Sequence, residues 1–154
     1  MARQSSLPAM KLYTIGFTQK GAQEFFEALE RAGVKKLVDT RLNNTSQLAG
    51  FAKRDDLRYF SQALCGISYH AFPSLAPTQE LLDAYKKQKG KWADYEPRFQ
   101  ALMKERRALE KLDRAFFEEP CCLLCSEASP SQCHRRLVAE GLQRLWGDVE
   151  IIHL

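Results

Sequence analysis

Apolar residues along this chain come in short runs, and stretches of helical period separate them. The run "KLYTIGF" (11–17) is strand-sized, and "AQEFFEALERAG" then places Phe25, Phe26, Leu29 and Ala32 on one helical face with Gly33 as the stop. A second strand follows at "KKLVDTR" (35–41). After a polar loop, "DDLRYFSQALCG" predicts a short helix with Asp55 or Asp56 as cap and Gly66 as stop. "ISYHAF" (67–72) is the third strand, ended by Pro73. "TQELLDAYKKQKG" predicts a helix capped by Thr78 and closed by Gly90. "PRFQALMKERRALEKLDRAFFEE" predicts a longer one that starts at Pro97 and repeats Phe99, Leu102, Met103, Leu109, Leu112 and Phe116 at helical spacing. "CCLLCS" (121–126), the helical "SQCHRRLVAEGLQRLWG" and the strand "VEIIHL" (149–154) complete the series.

This alternation predicts an α/β fold: one domain over 11–154, with a mainly parallel five-stranded sheet and helices on its faces. Residues 1–10 are expected to be a flexible extension. Parallel sheets gather ligands outside the carboxyl ends of their strands. The residues to watch are therefore Thr14, Gly16 and Phe17, then Asp39 and Arg41, His70 and Phe72, Cys125 and Glu127, and His153.

Composition narrows the class. With 154 residues and 45% hydrophobic content, one core is affordable. No apolar run approaches the ~20 residues of a membrane helix, and "MARQSSLPAM" has no apolar signal region. Five cysteines, an odd number with four of them clustered at 121–133, predict free thiols in a reducing cytosol. The net charge of +4 is concentrated. Residues 84–114 hold ten Lys/Arg and five Asp/Glu, and the other positions hold thirteen and fourteen. Beside Tyr85, Trp92 and Tyr95, that basic segment is either a nucleic-acid track or a solvated helix face.

The chemistry concentrates in "CCLLCSEASPSQCHRRL" (121–137). Strand alternation sends Cys121, Leu123 and Cys125 to one face and Cys122 and Leu124 to the other, so Cys121 and Cys122 read as inert core. Ser129, Pro130 and Gln132 form a capping-box pattern, which would put Cys133, His134 and Arg135 one turn into a helix. That first turn carries no acid and is followed by Arg135 and Arg136, an arrangement that suits an anion. Cys133 is expected to have a lowered pKa there. His134 is either a core histidine bonded to a carbonyl or a working one. No metal ligand is assigned. The spacing Cys125-x7-Cys133-His134 matches no common zinc pattern, and neighbouring side chains diverge on a helix. The "CLLC" pair, Cys122 and Cys125, points to opposite faces of a strand.

"YTIGF", "VDTR" and "LLCSEASPSQCHRRL" together resemble the domain of unknown function family 488, with its V-D-x-R strand and C-x-E-x-x-P-x-x-C-H-R corner. The resemblance falls on Tyr13, Thr14, Gly16, Asp39, Arg41, Cys125, Glu127, Pro130, Cys133, His134 and Arg135. It departs at Phe17, where many members carry a histidine.

Three functions follow. The first is a pocket for a phosphorylated small molecule or nucleic acid. Arg41, Arg135, Thr14, Gly16 and Cys125 would bind it. Asp39, Glu127 or His134 would move protons, and Cys133 or Cys125 would be the nucleophile, without a cofactor. In the same reading, an internal Asp39–Arg41 salt bridge is the alternative to ligand binding. The second function is a non-catalytic nucleic-acid module led by residues 84–114. The third is a structural metal or thiol-redox site.

Overall fold

A computed structural model describes residues 9–45 and 50–154, so the extension expected at 1–10 lies outside the described residues except for its last two positions, of which Met10 already belongs to the first strand. Its five strands are β1 (Met10–Gly16), β2 (Lys36–Asp39), β3 (Ser68–Ala71), β4 (Cys121–Cys125) and β5 (Val149–His153). They form one sheet in the order β3-β2-β4-β1-β5. Every pairing is parallel, so the sheet is parallel throughout. Among the described residues five α-helices cover its faces: α1 (Ala22–Ala32), α2 (Arg54–Cys65), α3 (Gln79–Lys86), α4 (Trp92–Arg106) and α5 (His134–Trp146). β4 is central, and all five of its residues are buried, which explains its unbroken apolar reading. Cys122 and Leu124 join Phe25, Phe26, Leu29 and Leu57 under α1 and α2. Cys121 and Leu123 join Phe99, Met103, Leu137 and Val138 under α4 and α5. Burial pushes the Cys121 thiol up to about 12 and the Cys122 thiol higher still, so both are inert at neutral pH.

Gly33 and Gly66 close α1 and α2 in the left-handed conformation, and Thr78 caps α3 by accepting from the N–H of Leu81 at 3.1 Å. Four expectations need correction. α2 is preceded by Lys53, with Asp55 and Asp56 inside its first turn rather than at the cap. α3 ends at Lys86, four residues short of Gly90. The long helix expected from Pro97 begins earlier, at Trp92, and carries Pro97 internally. It stops at Arg107, whose φ of 52° sends the chain back so that Ala108 is buried and Leu109 and Leu112 pack against the core from a turn. A 3-10 turn at Arg114–Glu118 then brings in Phe116 and Phe117. Tertiary packing thus divided a continuous helical pattern. Phe99 and Met103 are buried as expected, while Leu102, Leu109, Leu112 and Phe116 are half-buried.

The fourth correction concerns α5. Ser129 is exposed and does not cap it. Its hydroxyl accepts from the N–H of Ser131 at 3.3 Å, and Gln132 accepts from the Tyr85 hydroxyl. A turn closed by Cys133 N–H on Pro130 O, at 3.2 Å, precedes the helix, whose N-cap is Cys133 in an extended conformation. The local S-P-S-Q rule lost to burial of the next three residues. Cys133, His134 and Arg135 are all drawn inside the fold.

Candidate functional site

α1 and α2 lie on one face of the sheet, and α4 and α5 lie on the other. β2 leads to the first face and β4, its neighbour, leads to the second. The loops leaving these two strands must part, and a crevice opens at their carboxyl ends. There the structure has a cleft of about 320 Å³. Arg41, Leu42 and Asn43 line it from the β2 side, and Cys125, Ser126 and Glu127 from the β4 side. Cys133 and His134 come from the start of α5. Tyr85, Trp92 and Tyr95 form the opposing wall. Trp92 stacks on Tyr95 and Tyr95 on Phe99, and the Phe99 ring meets His134 at 5.3 Å between centroids.

Cys125, Cys133 and His134 form the floor. One sulfur or nitrogen from each lies within 4.8 Å of the other two. Cys125 Sγ is 3.6 Å from His134 Nδ1. The other ring nitrogen, Nε2, lies 2.7 Å from the carbonyl oxygen of Thr40. A carbonyl only accepts, so Nε2 carries a proton, and Nδ1 is the ring nitrogen that faces the sulfurs. The Thr40 hydroxyl supports this by donating to Leu124 O at 2.8 Å and approaching Nε2 at 3.1 Å. The expected lowered thiol is not Cys133. Burial pushes Cys133 up, and its donation to Cys125 pushes it further. Burial also raises Cys125, but that is outweighed by bonds from the Cys133 thiol and the N–H groups of Glu127 and Ser126, and by Arg135 nearby. Cys125 is held below the usual thiol range. Cys133 and His134 converge because Cys133 is extended and precedes the first helical residue. The divergence expected for neighbours on a helix does not apply.

The other predicted site residues stand behind the cleft or at its lip. Asp39 grips Arg41 with two bonds, Nε to Oδ1 at 2.9 Å and Nη2 to Oδ2 at 2.8 Å. Its side chain is 0% exposed and that of Arg41 2%. Arg41 also donates to Ala52 O at 2.7 Å, and Tyr69 donates to Asp39. This is the internal salt bridge, so Asp39 is occupied and does not reach the cleft. Phe17 is buried with its ring beneath the Arg41 guanidinium, 5.3 Å away. Glu127 turns its carboxylate to Lys86 at the lip.

Thr14, Gly16 and Arg135 do not line the cleft. Arg135 is 0% exposed. It donates from Nε to Thr14 Oγ1 at 3.1 Å and from Nη1 to Glu127 O at 2.6 Å. Its Nη2 has no hydrogen-bond partner, and among the described residues no carboxylate forms a salt bridge with it. Thr14 Oγ1 is also 2.6 Å from His153 Nδ1. A Cβ at Gly16 would overlap the carbonyl oxygen of Glu127, so the glycine lets the β4–α5 loop lie directly on β1.

The family model for "Domain of unknown function DUF488" matches residues 21–142. The chain belongs to this family. The DUF488 match covers β2, β4 and most of α5, and so the positions of Cys125, Cys133 and His134 in the cleft floor. No curated protein and no solved structure matches the chain. Among the described residues no helix is long and apolar enough to cross a membrane.

Sequence reasoning missed Thr40 and Tyr69, which orient His134 and Asp39. Neither residue type announces such a role, and only contacts between strands reveal it. It noticed Tyr85, Trp92 and Tyr95 but did not bring them to the corner, because the loop fold between α3 and α4 was not legible.

Proposed function

We propose that the cleft binds a phosphorylated ligand, a nucleotide or a segment of nucleic acid, and acts on it at the Cys125–Cys133–His134 floor. The observation that carries this reading is the buried Arg135 guanidinium, which has no carboxylate partner among the described residues, just behind that floor. The neighbouring charges cancel in pairs, Arg41 with Asp39 and Lys86 with Glu127. Arg135 remains, at the first turn of a helix with no acid in it. Burial makes an uncompensated charge costly, and an anion in the cleft offsets it. The Tyr85–Trp92 wall supplies aromatic edges and faces for a base. Glu127 is the solvent-facing acid/base at the lip, and His134 the buried one. We place the protein in a reducing cytosol, where its cysteines stay free.

The test is a titration of the full chain with inorganic phosphate, nucleoside mono- and diphosphates and a short oligonucleotide, read by tryptophan fluorescence. Binding that weakens with salt and falls in Lys86→Ala supports the reading. No binding of any of these at low salt refutes it.

A second reading rests on the exposed Lys86, Lys87, Lys89, Lys91, Arg98, Lys104, Arg107 and Lys111 of the basic segment, which suit a non-catalytic nucleic-acid module. Retention on DNA that survives Cys125→Ser, with no turnover by the native chain, favours it.

A further inference from the structure

We propose that Cys125, Cys133 and His134 bind one thiophilic divalent cation, of which zinc is the type, with a fourth coordination position open to the cleft. Three observations carry this. The donor set, two thiolates and one imidazole, is a zinc set. The three donor atoms already lie within 4.8 Å of one another, and the Cys125 Sγ–His134 Nδ1 separation is 3.6 Å. Bonds of about 2.3 Å to sulfur and about 2.0 Å to nitrogen in a tetrahedron set donor atoms roughly 3.5 Å apart. One edge of the polyhedron therefore exists, and closing the rest brings the remaining donor atoms together by about 1.3 Å at most.

The surroundings are those of a ligand set rather than of packed side chains. His134 donates Nε2–H to Thr40 O, which turns Nδ1 towards the sulfurs as the nitrogen free to coordinate. Metal-bound histidines are held this way, with the second nitrogen tied to a carbonyl. All three residues are buried yet line the cleft. The protein thus covers one side of the ion, and the fourth position faces the space where a water or a ligand atom can enter. Two thiolates cancel the charge of a divalent ion, so Arg135 still favours an anion beside it. The site rests on three side chains alone and does not depend on what the cleft binds.

The experiment uses the full chain, reduced and metal-free under nitrogen. Titration with Co(II) should raise sulfur-to-cobalt charge-transfer absorption and the d–d bands of four-coordinate cobalt to a plateau at one ion per chain, and Zn(II) should bleach them. Cys133→Ser and His134→Gln should lose the plateau, while Cys65→Ser, remote from the floor, should keep it. A readout on the native chain guards against variants that fail to fold. Mapped by mass spectrometry, alkylation of Cys125 and Cys133 should slow by about tenfold or more when zinc is added, because a coordinated thiolate is withdrawn from reaction. The proposal is overturned by absence of the cobalt bands, by a plateau that persists in folded Cys133→Ser, or by equal alkylation with and without zinc. Repeating the nucleotide titration on metal-free and zinc-loaded chain separates the two readings. Binding in the metal-free form with no cobalt bands removes the metal and leaves the phosphate site.

Discussion

Replacing Asp39 by alanine isolates the energetics of the corner. Asp39 is the carboxylate that Arg41 grips through Nε and Nη2, with both side chains shut away from water. Truncation leaves a buried guanidinium with Ala52 O as the one remaining acceptor for its side chain among the described residues, and removes the acceptor of the Tyr69 hydroxyl. Removing one partner of a buried pair costs about 3–5 kcal/mol, and an orphaned hydroxyl adds about 1–3 kcal/mol where water cannot reach it. A domain of this size is stable by about 5–15 kcal/mol, so the variant should sit near the edge of folding. In urea, with a slope of about 2 kcal/mol per molar, a loss of about 4 kcal/mol lowers the midpoint by roughly 2 M. Circular dichroism across a urea series measures this. The control is Asp39→Ala combined with Arg41→Met, which removes the isolated charge and should recover much of the loss, since the two positions share one interaction. A single variant within about 1 kcal/mol of the native chain would refute the argument. So would a double variant as unstable as the sum of its singles.

Gly16→Ala should cost about 1–3 kcal/mol in the same assay, because its Cβ meets backbone of the β4–α5 loop that cannot swing aside. Thr78→Ala should cost about 1 kcal/mol through loss of the α3 cap. Ser129→Ala should stay within about 0.5 kcal/mol, since Ser129 is an exposed turn residue; a larger loss there would restore it as a cap. Burial and donation to Asp39 raise the Tyr69 phenol above its free value. The unfolded chain then loses that proton first, so stability should fall as pH rises beyond roughly 10 and approaches the folded value. Tyr69→Phe should flatten that part of the profile, and an unchanged slope would count against the coupling.

The amino-acid order alone determined the run of strands and helices, the parallel sheet and the edge where the cleft lies. It could do so because strand alternation, helical period and glycine stops are local signals, and parallel topology then leaves few arrangements. It also picked out Cys125, Cys133 and His134, which do meet, and sorted Cys121 and Cys122 to opposite cores. Only tertiary structure decided where α5 begins. Ser129, Pro130 and Gln132 satisfy a local capping rule, yet the helix waits for Cys133 because burying His134 and Arg135 outweighs one cap. That displacement of four residues turned Cys133 and His134 from diverging neighbours into converging ones. Tertiary structure likewise divided the pattern after Arg106. It also enclosed Arg41 with Asp39 and set Arg135 behind the cleft rather than in it. These outcomes depend on which groups remain unpaired once the layers close, a quantity spread over strands distant in sequence and invisible in any local window.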